Sequence, residues 1–201
     1  MALEVFGRYG FRKASMDEIA RSADISRQGL YLHFANKDAL FRAAVRQELD
    51  TALGDVSRSL NEEGVGLEQR VVAALDAWLG RYVGSMLAPD IGNMLQTPAK
   101  QLGDIVDPAV AEFDARLAAA IAAAMSENDR RRVGVTPEEI AGALHTVTQG
   151  AKYLSTARVE SREDFVARIT AAVRVVFAGF GNVAKRTPRH GPTHQIVADY
   201  R

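Results

Sequence analysis

The stretch Ser15–Lys37, SMDEIARSADISRQGLYLHFANK, decides the fold. Ser15 followed three residues later by Glu18 is a capping box, in which each residue satisfies an orphan backbone donor of the other. It opens a short helix that turns Ile19, Ala20 and Ala23 inward. Asp24 stands at the turn, and aspartate accepts a left-handed backbone more readily than most residues. Ser26 caps a second helix with Leu30 and Phe34 as its inward pair at i, i+4. The outward face is left to Arg27, Gln28, Gly29, Tyr31 and His33. Asn36 caps a third helix, with Lys37 at its first position.

Two residues here are local misfits. A lysine in the first helical turn opposes the helix dipole, at about 0.3–1 kcal/mol. The conflict disappears when an anion sits there, because a helix N-terminus plus a lysine makes a phosphate site. Gly29 costs about 1 kcal/mol inside a helix relative to alanine, and close backbone approach to a ligand would explain it. Taken singly, each reads as a solvated lysine and a tolerated glycine. Together with the caps they point to a binding face.

Before this stretch, residues 2–9 read as the end of an amphipathic helix with Leu3 and Phe6 on one face, Gly10 as its stop and Phe11 tucked under the next turn. The helix is short. A preceding turn and basic arm outside this sequence is one reading, and a helix that begins here is the other. After Lys37 a long helix runs to about residue 60, with Leu40, Phe41, Ala44, Val45, Leu49 and Leu53 as its stripe. A helix over 67–86 follows, then a short one within 88–103 among Pro89, Gly92 and Pro98. Asp107-Pro108 opens an alanine-rich helix to about 125. Thr136-Pro137-Glu138-Glu139 starts another, with Thr at the N-cap, Pro at N1 and Glu at N3. The last begins at Ser161 and ends near 182. No β alternation appears and no segment repeats. The expectation is an all-α protein of about nine helices. A three-helix head over 1–46 (motif 15–34) precedes a helical body over 47–183 and a Pro/Gly-containing flexible tail over 184–201.

Composition bounds the function. At 47% hydrophobic the 201-residue chain can bury a sizeable core. It has no cysteine, which removes disulfides, thiolate metal sites and thiol nucleophiles. No apolar run reaches the ~20 residues of a membrane span, and no signal peptide opens the chain, so the expected location is the cytoplasm. The net charge of zero conceals an asymmetry. Residues 1–48 hold eight Lys/Arg against six Asp/Glu, residues 49–183 thirteen against eighteen, and residues 184–201 four against one. A basic head on an acidic body suits a protein that presents one end to a polyanion.

The SMDEIA opening, Ala23-Asp24-Ile25-Ser26 at the turn, and Leu30-Tyr31-Leu32-His33-Phe34 followed by Asn36-Lys37-Asp38 resemble the TetR family of bacterial one-component regulators. The resemblance covers roughly the first quarter of the chain. It implies a helix-turn-helix head on a ligand-binding body that dimerises through its last two long helices. Asp24 departs from the glycine usual at this turn, and aspartate can adopt the same conformation.

Helix-turn-helix docking sets the start of the second helix against base edges in the major groove of double-stranded DNA. Arg27 can bridge guanine O6 and N7, and Gln28 can bridge adenine N6 and N7. Ser15, Ser26, Tyr31, His33 and Lys37 suit phosphate contacts, and Gly29 lets the backbone approach. A homodimer through helices of about 137–157 and 162–182 would read a two-fold operator. Gly142, Ala143, Gly150, Ala151, Ala171 and Ala172 would allow the helices to approach closely. Completion of the monomer core is the other use for the same residues.

Trp78, Tyr82, Met86, Met94, Phe113, Leu117, His145, Gln149 and Tyr153 are the candidate lining of a pocket for a hydrophobic or amphipathic effector. The same set at helical spacing also reads as plain core. The expected function is a ligand-responsive repressor released from its operator by the effector. An activator of the same fold and a helical protein-interaction adaptor are the alternatives. An enzyme is not expected, nor a cofactor or metal. The four histidines (His33, His145, His190, His194) fall in no metalloprotease, P-loop, nucleophile-elbow or dinucleotide motif.

Overall fold

The computed structural model describes residues 2–83, 99–127, 130–131, 134–158 and 161–182. Among the described residues the chain is all-α. Its eight α-helices are α1 (Ala2–Lys13), α2 (Met16–Ser22), α3 (Arg27–His33), α4 (Lys37–Leu60), α5 (Leu67–Leu79), α6 (Ala99–Ala124), α7 (Pro137–Arg158) and α8 (Arg162–Asn182), with a 3-10 turn over Gly80–Tyr82.

The helices start where short polar side chains can close them. Asn36 Oδ1 accepts from the Ala39 amide at 2.8 Å. Thr136 Oγ1 accepts from the Glu139 amide at 3.1 Å while Glu139 returns a carboxylate to the Thr136 amide at 2.7 Å. Each cap of this kind stabilises by about 1 kcal/mol. Gly10 stops the first helical run of α1, with φ 73° and ψ 153°, and a further turn carries the chain to Lys13. That break swings Phe11 inward, where its ring lies 5.1 Å from Phe41 and 5.8 Å from Phe6.

Pro108 does not begin a helix, as Asp107-Pro108 suggests; it lies inside α6. An interior proline forfeits one backbone hydrogen bond and costs about 3 kcal/mol. Leu102 and Ile105, both buried ahead of it, anchor the preceding turns, and burial of such side chains is worth roughly 1.5–3 kcal/mol each. The short helix expected within 88–103 falls largely on residues outside those described. The 67–86 helix ends at Leu79, and residues 84–86 are likewise outside.

Buried side chains form two clusters. The head cluster holds Val5, Phe6, Met16, Ile19, Ala20, Leu30, Leu40 and Phe41, joined by Leu102 and Ile105 of α6. The body cluster holds Val56, Val71, Leu75, Trp78, Phe113, Leu117, Ile121, Leu144, Phe165 and Ile169 among others. α4 and α6 each place their first turns in the head and their later turns in the body, so two helices run side by side through both. Arg42 of α4 pairs with Asp104 of α6 beside the head cluster.

Candidate nucleic-acid interface

The head is built to hold α3 outward. Ser15 Oγ accepts from the Glu18 amide at 3.2 Å, and Glu18 Oε2 accepts from the Ser15 amide at 2.9 Å and from the Ser15 hydroxyl at 2.8 Å. The Ser15 hydroxyl, then its amide, holds the Glu18 carboxyl below the usual carboxylate range. Closure of this box also commits the only hydroxyl proton of Ser15, which leaves its backbone-contact role without a donor while the box is shut.

Asp24 takes the left-handed backbone at the turn, with φ 54°. Ile25 then returns its amide to the Ala20 carbonyl at 3.0 Å. Ser26 caps α3 by accepting from the Gly29 amide at 2.9 Å. Its own O–H remains available to a phosphate. A Cβ built on Gly29 would lie 3.1 Å from Ser26 Oγ. The cap therefore supplies a reason for glycine at that position beside the approach of a ligand.

Leu30 is buried and Phe34 half-buried, so α3 is seated by one face alone. The other face carries Arg27, Gln28, Tyr31, Leu32 and His33, all exposed. Arg27 Nη1 donates to Asp17 Oδ2 of α2 at 3.1 Å, and its guanidinium lies 5.6 Å from the Tyr31 ring centre. The second oxygen of Asp17, Oδ1, is closed to solvent and has no hydrogen-bond partner among the described residues. The His33 ring sits 6.5 Å from the Phe34 ring.

Leu32 is the residue that the sequence reading passed over. It is 80% exposed, the most exposed large apolar side chain described. Its position four residues after Gln28 puts the two on one strip of α3. An outward leucine at that spacing is the signal that could have found it.

Lys37 sits where the phosphate reading needs it, but its charge already has local acceptors. Nζ donates to the Ala14 carbonyl at 2.9 Å and the Arg12 carbonyl at 3.2 Å, and lies 4.8 Å from the Phe11 ring centre. These carbonyls at the end of α1 relieve the opposition to the α4 dipole without an external anion.

Among the described residues, the aromatic members of the expected effector set lie against one another. Trp78 and Phe113 stack at 4.7 Å, the His145 ring meets Phe113 edge-on at 5.0 Å, and Leu117 is fully buried in the same cluster. His145 Nδ1 is 2.7 Å from Asp114 Oδ1, and its Nε2 is 3.2 Å from Gln149 Nε2. Trp78, Phe113 and Leu117 thus pack as core in this form, because flat rings at helical spacing stack on each other when nothing separates them. Tyr82 is buried beneath Glu48, to which its hydroxyl donates at 3.3 Å. Met86, Met94 and the Tyr153 side chain lie outside the described residues.

Of the small residues on the last two helices, Ala151 is buried in the body core, while Ala143, Gly150 and Ala171 are exposed and Gly142 and Ala172 half-buried. Val147 and Val175 stand among them at 46% and 74% exposure.

Residues 1–44 match the family described as bacterial regulatory proteins, tetR family. The "HTH-type transcriptional activator FasR" of Mycolicibacterium smegmatis is 36% identical over 77 residues, 38% of this chain and 35% of that protein. The "HTH-type transcriptional regulator UidR" of Escherichia coli K12 is 44% identical over 52 residues, 26% of each chain. The "HTH-type transcriptional repressor Rv1474c" of Mycobacterium tuberculosis is 32% identical over 80 residues, 39% of this chain and 41% of that protein. The matched stretch thus spans well under half the length of these relatives. In overall fold, the chain is similar to a putative TetR-family regulator from Mesorhizobium loti, with a TM-score of 0.68 at 18% identity over 88% of this chain and 91% of that one. A tetR-family regulator from Streptomyces coelicolor gives 0.61 at 21% identity over 95% and 88%.

Proposed function

We propose, from the match of residues 1–44 to the bacterial tetR regulatory family, that the chain is a DNA-binding transcriptional regulator acting as a homodimer on a two-fold operator. One observation carries the reading. α3 is seated by Leu30 and, at its end, Phe34, and it leaves Arg27, Gln28, Tyr31 and Leu32 exposed together. Arg27 and Gln28 have hydrogen-bonding reach to purine edges, and Leu32 offers methyls to the thymine C5 methyl. Ser26, Tyr31 and His33 contact phosphate. Lys37 adds charge there while tied to α1.

The exposed Val147, Val175, Ala143, Gly150 and Ala171 make a small-residue apolar face on α7 and α8 that suits a second copy. Control is by repression in this reading, relieved when a small effector favours a dimer whose two heads no longer match the operator spacing. Activation is the second reading, because one relative carries that name. The cytoplasm is the compartment in which such a protein meets DNA.

Selection from a random duplex library, followed by anisotropy titration at several salt concentrations, tests the reading. The expected result is a palindromic enriched site with affinity that falls steeply with salt. Absence of any enriched sequence, or binding insensitive to salt, would overturn it in favour of a protein-binding adaptor.

A further inference from the structure

Arg81, in the 3-10 turn Gly80–Tyr82, ties down α4 at two points. Its Nη1 donates to Glu48 Oε1 at 3.0 Å, and its Nη2 pairs with Asp55 Oδ2. Its Nε donates to the Ala77 carbonyl of α5 at 3.1 Å, so each nitrogen of the guanidinium has an acceptor. The Tyr82 hydroxyl donates to the same Glu48 oxygen at 3.3 Å. A planar guanidinium presents its donors in a fixed fork, which suits it to hold two carboxylates at a set separation.

The two ties stand two turns apart on α4, about 10 Å along its axis. One tie would fix a point on the helix; two fix its tilt. Glu48 lies where α4 leaves the head, beside Leu49, which packs against both buried clusters. Asp55 lies deeper in the body, beside the fully buried Val56. Partly buried ion pairs are often neutral for stability against apolar groups of similar volume, so geometry is what this clamp adds.

The turn that carries Arg81 is itself seated on α8. Asp76 of α5 accepts from both Nε and Nη2 of Arg162, at 3.0 and 2.7 Å. A Cβ at Gly80 would lie 1.8 Å from Asp76 Oδ1 and 3.2 Å from Phe165 Cε1, so the turn rests hard against that pair and the start of α8. A path of contacts thus runs from α8 through Gly80 and Arg81 to α4, and along α4 into the head. Asp55 is about 27 Å along α4 from Lys37. A tilt of about 5° at Asp55 carries the Lys37 end roughly 2.4 Å, and two heads related by a two-fold axis change their separation by up to roughly 4.7 Å. One base pair advances about 3.4 Å.

Resting on the dimeric operator reading above, we propose that Arg81 is the positioning residue for half-site spacing. By locking the tilt of α4 against the turn seated on α8, it sets the separation of the two α3 helices, while the choice of bases stays with α3.

Anisotropy titration at one salt concentration tests this, on the operator found by selection and on duplexes whose half-sites are moved one base pair closer or farther. The wild type should lose at least tenfold in affinity at either altered separation. Arg81→Met should lose less than threefold there, with its penalties for single base changes inside a half-site within twofold of the wild type. Glu48→Gln and Asp55→Asn, close in shape to the originals, cut one tie each and should broaden the spacing profile in the same way, which keeps the test decisive if Arg81→Met does not fold. Arg58→Ala, which loses only a bond to the other Asp55 oxygen, should leave the profile as it is. No selected site, or a wild type indifferent to separation, overturns the dimeric operator reading and this inference together. A spacing-selective wild type whose tie variants keep the tenfold penalties, or lose affinity equally at every separation, overturns this inference alone.

Discussion

Arg27 Nη1 and Asp17 Oδ2 lie 3.1 Å apart, so the first residue of the outward helix is held to the second residue of the helix beneath it. An exposed pair of this kind adds at most about 1 kcal/mol of stability. Its larger effect is on DNA, because the Asp17 carboxylate competes with phosphate or guanine for the same guanidinium. Asp17→Asn should therefore tighten binding to random duplex two- to fivefold and to the selected operator by less. The ratio of the two affinities, measured at one salt concentration, falls. A loss of affinity on random duplex would refute the competition.

Lys37 ties α4 to the end of α1. Lys37→Met removes a charged donor from the Arg12 and Ala14 carbonyls, and hydrogen bonds to charged groups are worth about 1.5–3 kcal/mol. Urea unfolding should show a loss of that order. Where Lys37 also meets phosphate, the log–log salt slope of DNA binding shrinks by about one. Unchanged stability would mean that the two carbonyls are served as well by water.

Leu32 stands clear of the head at 80% exposure. Leu32→Ala should leave stability within about 0.5 kcal/mol, as for most surface changes. It should lower the preference for thymine at one position of each half-site, read by competition with a cytosine-substituted duplex. Equal preference before and after would remove Leu32 from the reading face.

Val175, 74% exposed on α8, centres the proposed dimer surface. Val175→Glu should shift sedimentation velocity from dimer to monomer and cost at least tenfold in operator affinity, because two coupled heads become one. A persistent dimer would place the interface elsewhere.

Tyr82 gives a pH dependence with a definite sign. Burial first, and then the Glu48 charge, raise its phenol above the usual range. A folded pKa raised above the unfolded value contributes stability that is complete below about pH 10 and is lost as the pH climbs past it. Urea midpoints should fall from pH 9 to pH 11 in the wild type, and Tyr82→Phe should flatten that fall. Parallel curves would show that other groups govern the alkaline limb.

The parts of this molecule legible in its sequence are those settled within four residues. The caps at Ser15, Ser26, Asn36 and Thr136, the left-handed Asp24 and the inward Leu30 are local chemistry, and each stands where the pattern put it. The local pattern at Lys37 shows only a cation at a helix start, because its acceptors, at Arg12 and Ala14, are 25 and 23 residues away. Pro108 was read as a start because propensity ignores Leu102 and Ile105, whose burial carries the helix across it. Trp78, Phe113 and His145 have a composition that serves a pocket or a core equally, and only their ring-to-ring distances separate the two.

Leu102 and Ile105 belong to the body by sequence and to the head by burial. The core under the proposed DNA-reading face is therefore completed by two side chains of α6. A recombination event that replaced only the first 46 residues would seat a foreign head on two side chains shaped for the old one. Lineages that exchange operator preference through this fold are expected to do so by substitutions on the outer face of α3, or by inheriting residues 99–106 together with the head.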